Sequence, residues 1–215
     1  MDSIAGETNA GLGEYRTDRP ISSLFKTTKD VLLSPRRFFD ELPPDGPLGA
    51  PVLYYLICLM IGIIINVIVG LAAFAVPIGR ALVADSPDAR PVTVVLLVLV
   101  FLLVFLIVYP VLSAVFFFVY VLIQHLFIRL LAGRNQRGLH ATLRVFCYSV
   151  GAPFAVAWVP LVNIFAGLYC FYLYTTGLRR VHRISTGKAL AAVLMVVVLY
   201  LVGQEAFLQG RRRRV

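Results

Sequence analysis

Side chains that could move protons, hold a metal or attack a carbonyl are few in this chain, and their spacing suits none of these tasks. His125, His140 and His182 are far apart, and none lies at a Cys/His or i, i+4 spacing that zinc or haem would use. Cys58, Cys147 and Cys170 sit in apolar stretches without a CxxC pattern, so they read as small buried hydrophobes. Ser113 and Ser149 have no nearby His to activate them, and there is no GxSxG, HExxH, Walker loop or close carboxylate pair. Asp85 and Asp88 are too few for a lipid-modifying centre. Glu205, near the end of the last apolar stretch, has no intramembrane partner for a proton relay. The expectation is a non-enzyme with no catalytic residues, cofactor or metal.

The elements that would have to position any site are apolar. Of the 215 residues, 60% are hydrophobic, and the mean hydropathy is +0.86, well above the roughly 45–50% apolar content of soluble domains. Uncharged runs longer than about 18 residues cannot all hide in one soluble core, so lipid is the expected solvent. The net charge of +9 comes from short clusters between apolar runs rather than one basic helix face, which excludes nucleic acid as the expected partner. Such clusters orient membrane helices.

Along the chain, residues 1–20 are polar and aperiodic and are expected to be a disordered tail. Residues 21–48 form an amphipathic segment. Ile21, Leu24, Phe25, Thr28, Val31 and Leu32 share one helical face, and Lys26, Lys29 and Asp30 lie opposite. Ser34-Pro35 then restarts a helix carrying Arg36, Arg37, Phe38 and Phe39, a composition suited to the headgroup boundary. Two readings stand: an interfacial helix on the cytoplasmic leaflet, or a short helix packed on the bundle.

A membrane domain over residues 49–208 follows, with expected spans at 51–76, 92–128, 139–159, 161–178 and 189–208, then a basic tail at 209–215. Residues 80–91 read as a loop. Pro110 divides the second segment, which is either one bent helix or two short spans. Arg129, Arg134, Arg137 and Arg144 have no acid among them, nor do Arg179, Arg180, Arg183 and Lys188, so both connections belong inside. The segment between them must therefore return as a helical hairpin turning near Trp158-Val159-Pro160-Leu161, with Arg144 snorkelling from its first leg. This topology has the N-terminus in the cytoplasm and leaves Arg211 to Arg214 outside, against the positive-inside rule. Four- or six-span alternatives would bring that tail inside.

The fold class expected is thus all-α, a polytopic membrane helix bundle of about five transmembrane helices preceded by an amphipathic helix. The candidate contact residues for anionic lipid or an acidic partner are Arg36, Arg37, Phe38, Phe39, Arg134, Arg137, Arg179, Arg180 and Arg183. A protein partner or a second copy of the chain is the other candidate occupant of this face. A rival class, a small transporter or channel subunit, would need Asn66, Ser113, Ser149 and Asn163 to converge at mid-membrane. Pro110, Pro153 and Pro160 signal kinks that neighbouring helices must compensate.

The ordered motifs SPRRFFDELP, HLFIRLLAG, RVFCYSVGAPFAVAWVPLV and GLRRVHRISTGKALAAVL, with Tyr148, Pro153, Pro160, Gly177, His182, Ser185 and Ala189, carry a resemblance across residues 22–205. In these the chain resembles the Yip domain family of Ypt/Rab-interacting membrane proteins, in its prokaryotic form. The resemblance implies five spans, a cytoplasmic N-terminal region and residence in the prokaryotic cytoplasmic membrane. The eukaryotic motif DLYGP is matched only by Asp45-Gly46-Pro47, so Rab binding is not implied.

Overall fold

A computed structural model describes residues 13–85, 91–133 and 136–212. Among them the chain is helical throughout, in the order α1 (Pro20–Leu33), α2 (Pro35–Glu41), α3 (Gly49–Asp85), α4 (Pro91–Ala132), α5 (Leu139–Phe154), α6 (Pro160–Val181) and α7 (Thr186–Arg212). The ends follow local chemistry. Proline opens α1, α2 and α6, where its missing N–H has no partner to lose. Ser185 caps α7, its hydroxyl accepting the Lys188 N–H at 3.4 Å. Ser34 occupies the corresponding place before α2 without making that bond.

Among the described residues three helices are long and apolar enough to cross a bilayer, over Gly49–Gly70, Val98–Ala132 and Thr186–Glu205. Their outward surfaces are apolar: Leu103, Ile107, Phe116 and Leu130 of α4, and Val198, Leu201 and Val202 of α7, are exposed. Water would not tolerate a surface of this extent and lipid does, so the molecule is an integral membrane protein. Residues 91–132 form one continuous helix through Pro110 with no turn there. Ser113 donates to the Pro110 carbonyl at 2.9 Å.

α5 is the hub, packing against α1, α3, α4 and α6, while α7 packs against α4 and α6. Its 16 residues rise about 24 Å, short of a hydrocarbon core of about 30 Å. The expected first leg, 139–159, in fact ends at Phe154, because Pro153 and the residues after it turn the chain into α6. The tip of this hairpin abuts mid-α3, where the Phe154 carbonyl lies 2.8 Å from where a Cβ on Gly62 would be. α6 is diluted by Asn163, Tyr169, Tyr172, Tyr174, Thr175 and Thr176.

The core between these helices is aromatic. Phe146 meets Tyr55, Phe117, Tyr120 and Tyr174 at ring separations of 4.6 to 6.1 Å. Three boundaries depart from expectation. α3 continues through Arg80 to Asp85, so residues 80–85 are helix rather than loop; Asp88 lies outside the described residues. The expected tail at 209–215 is helical to Arg212. Of the expected N-terminal tail, residues 13–15 pack on the bundle, with Glu14 and Tyr15 buried, while residues 16–19 are exposed.

Candidate membrane and partner-contact face

Arg144 does not snorkel. Its side chain is fully buried, one guanidinium nitrogen donating to the Pro47 carbonyl at 2.7 Å and another to the Glu14 carboxylate. The Tyr148 hydroxyl donates to the same carboxylate oxygen at 3.1 Å. A charge in an apolar bundle needs a counter-charge, and the N-terminal segment supplies it. The segment is tied to α1 by Ser23, which donates to the Arg16 carbonyl at 2.8 Å, and by Thr27, which donates to the Gly13 carbonyl at 3.0 Å. The Tyr15 ring lies tilted against that of Tyr54, their centres 5.8 Å apart. Gly46 leaves the room that the guanidinium occupies: a Cβ there would lie 2.4 Å from an Arg144 nitrogen.

This strap and α2 draw the basic segments to one end of the bundle. Arg180 of α6 pairs with Asp40 of α2, and Arg137, ahead of α5, with Asp45 at 3.9 Å. Arg37 pairs with Glu41 at 2.9 Å. Three of the candidate arginines are thus partly neutralised, and Arg36, Arg179 and Arg183 have no acidic partner among the described residues. Arg134 lies outside the described residues.

Arg183 is held with φ at 54°. The Ile184 N–H bonds to the Arg179 carbonyl at 3.1 Å and the Arg183 N–H to the Arg180 carbonyl at 3.3 Å, the Schellman arrangement. Glycine ordinarily fills that left-handed position, because a side chain there costs about 1 kcal/mol.

The two phenylalanines are misassigned by composition. Phe38 and Phe39 are buried, Phe38 edge-on to Tyr148 at 5.0 Å and Phe39 beside Gly177, where a Cβ would come within 3.0 Å of its ring. They anchor α2 to the bundle and do not face lipid. α1 is rotated partway from its expected apolar face, with Leu24 and Leu32 half-buried and Lys26 and Lys29 still exposed. It buries Ser23, Thr27 and Val31 and leaves Ile21, Phe25 and Leu33 each 72% exposed. The small side chains face the bundle because Gly13, Arg16 and Tyr54 offer hydrogen bonds there; Tyr54 and Thr28 share one of 2.9 Å.

A polar staple was not legible in the sequence. His125 of α4 bonds to the Thr142 hydroxyl at 2.9 Å, and His182 to the same oxygen at 3.0 Å. That hydroxyl has a single proton, so at most one ring accepts from it. Burial, with His125 and then Arg137 nearby, pushes His182 down to about 4. Among the described residues no three His, Cys, Asp or Glu side chains gather to hold a metal ion. Nor do the polar groups of the transport reading converge. Asn66 donates to its own helix at the Gly62 carbonyl, 2.8 Å away, Ser113 bonds within α4, Asn163 is exposed, and Ser149 is buried in α5.

Compared with known families, residues 29–206 match the model of the Yip1 domain. The chain belongs to the Yip1 domain family. No curated protein and no solved structure matches it. The positions that carried the sequence resemblance take structural places in this Yip1 domain. Tyr148 holds the Glu14 carboxylate, Pro153 ends α5, and Pro160 opens α6. Gly177 admits Phe39 and Val145, His182 closes α6 on Thr142, and Ser185 caps α7.

Proposed function

We propose that this Yip1-domain protein acts without catalysis, organising membrane or recruiting partners through a basic face turned to the cytoplasm. In this reading the protein resides in a prokaryotic cytoplasmic membrane with its N-terminal segment inside, and the α5–α6 hairpin returns to the side from which it left. The supporting observation is the gathering of α2, the approach to α5 and the α6–α7 turn by the Arg180–Asp40 and Arg137–Asp45 pairs. Arg36, Arg179 and Arg183 remain uncompensated at that end, each contributing about 1 kcal/mol toward an anionic surface. Arg183 favours the reading further: a residue kept in a costly backbone conformation points to a use for its side chain.

Two measurements test this. Single cysteines replacing Gln136 and Ile184 should label from the same, cytoplasmic side of the membrane; labelling from opposite sides removes the common face. Proteoliposomes of the full chain should dock anionic vesicles in a salt-sensitive way, and the triple change of Arg36, Arg179 and Arg183 to Glu should abolish docking. Docking indifferent to salt and to the triple change would discard the electrostatic mechanism.

A further inference from the structure

A groove of about 560 Å³ separates the C-terminal end of α1 from the tip of the α5–α6 hairpin, lined by Leu32, Leu33, Pro153, Val156, Phe165 and Tyr169 among others. Its volume falls within the roughly 300–1,000 Å³ of small-molecule sites. The lining is apolar apart from the Tyr169 hydroxyl, which already donates to the Leu32 carbonyl. An occupant gains nothing there from polar groups and must present hydrocarbon.

Two features identify that occupant. The groove is continuous with the apolar outer surface of α6, where Ile164, Phe165 and Leu168 are exposed, so it opens toward bilayer rather than water. A basic residue also follows one of its lining residues closely in the chain. Arg36 follows Leu33 by three residues, within about 11 Å along the chain; it is exposed and has no acidic partner among the described residues. An apolar slot with an exposed cation within that reach of its lining matches an amphiphile with an acyl chain and an anionic headgroup. α1 and the hairpin touch at this groove: the Leu32 carbonyl receives the hydroxyl of Tyr169 while Leu33 lines the same groove as Pro153.

We propose that this groove binds one anionic phospholipid of the leaflet adjoining the N-terminal segment, its acyl chain lying along Leu33, Val156 and Phe165 and its phosphate met by Arg36. The proposal deepens the basic-face reading by assigning one discrete lipid site, and it rests on that reading only for the identity of the leaflet.

The chain's only tryptophan, Trp158, lies two residues from Val156 and is partly exposed, which makes it a reporter. The full chain is reconstituted in phosphatidylcholine nanodiscs doped with brominated phosphatidylglycerol or brominated phosphatidylcholine. Trp158 should be half-quenched at an about five-fold lower fraction of the anionic lipid, the factor one exposed basic residue supplies. Arg36→Gln should erase that preference while Arg179→Gln, remote from the groove in sequence, retains it. Ala166→Leu, which fills the groove, should lower quenching by the anionic lipid to that of the zwitterionic one. Equal quenching by both lipids in the unaltered chain overturns the site, as does equal loss from Arg36→Gln and Arg179→Gln. Vesicle docking that survives either result leaves the basic face standing and removes the groove alone.

Discussion

Glu14 and Arg144 stand 130 residues apart in the chain yet form an ion pair shut away from solvent at the junction of the N-terminal strap, α3 and α5. The pair makes the strap part of the folded domain. It also explains why a full positive charge is tolerated in the most buried helix of the bundle.

Removing one partner strands the other. Glu14→Gln should destabilise the protein by about 3 kcal/mol, the lower end of the cost of breaking a buried pair. Replacing both, as Glu14→Leu with Arg144→Met, should recover most of the loss, since no charge is then left unpaired. Thermal unfolding of the detergent-solubilised full chain checks this, and a double variant no better than the single one would assign the loss to packing.

Arg183→Gly should produce two effects of opposite sign. Relief of the left-handed conformation should stabilise the chain by about 1 kcal/mol, while docking to anionic vesicles weakens. A variant more stable and equally competent in docking would show that Arg183 has no part in the contact face.

The two glycines of α3 form an internal control. At Gly62 a Cβ would meet the Phe154 backbone carbonyl at 2.8 Å, and main chain cannot step aside cheaply; at Gly70 nothing lies within 4 Å. Gly70→Ala should be neutral or gain up to about 1 kcal/mol of helix propensity, whereas Gly62→Ala should lose about 1–3 kcal/mol from overpacking. Matching unfolding temperatures for the two variants would refute the tight approach of the hairpin tip to α3.

His182 sets a pH dependence whose sign is fixed by burial. Its folded-state pKa, about 4, lies below the ordinary value of about 6.5, so the unfolded chain binds the proton first. Stability should fall as pH drops from about 6.5 to about 4 and level off below, the loss from this residue reaching at most about 3 kcal/mol. His182→Gln should flatten that window of the stability curve. An unchanged slope in the variant would place the titration elsewhere.

Much of the helical frame was legible because uncharged runs and prolines report directly on lipid and on helix ends. Pro35 opens a helix where its chemistry places it, whereas the hairpin turn expected near 158–161 falls at 155–159 and Pro160 already opens α6. The side-chain partnerships were not legible. Arg144 reads as a snorkelling residue because hydropathy sees a charge near a span end but not the carboxylate folded back from residue 14. Phe38 and Phe39 read as lipid anchors because their neighbours are arginines, whereas Gly177 and Tyr148 receive them in the interior. The Thr142 staple joins three helical regions, and nothing in the local spacing of His125 and His182 announces it.

The Glu14–Arg144 pairing also constrains how the protein is made. A ribosome delivers the acid first and the base 130 residues later, after α3 and α4 have been synthesised. The strap and its amphipathic helix can therefore meet α3 through Tyr54 but cannot complete their seat while only the first spans have entered the bilayer. Completion of α5 is the event that allows the earliest-synthesised part of the domain to take its final place, so maturation would proceed from the middle of the chain back to its beginning.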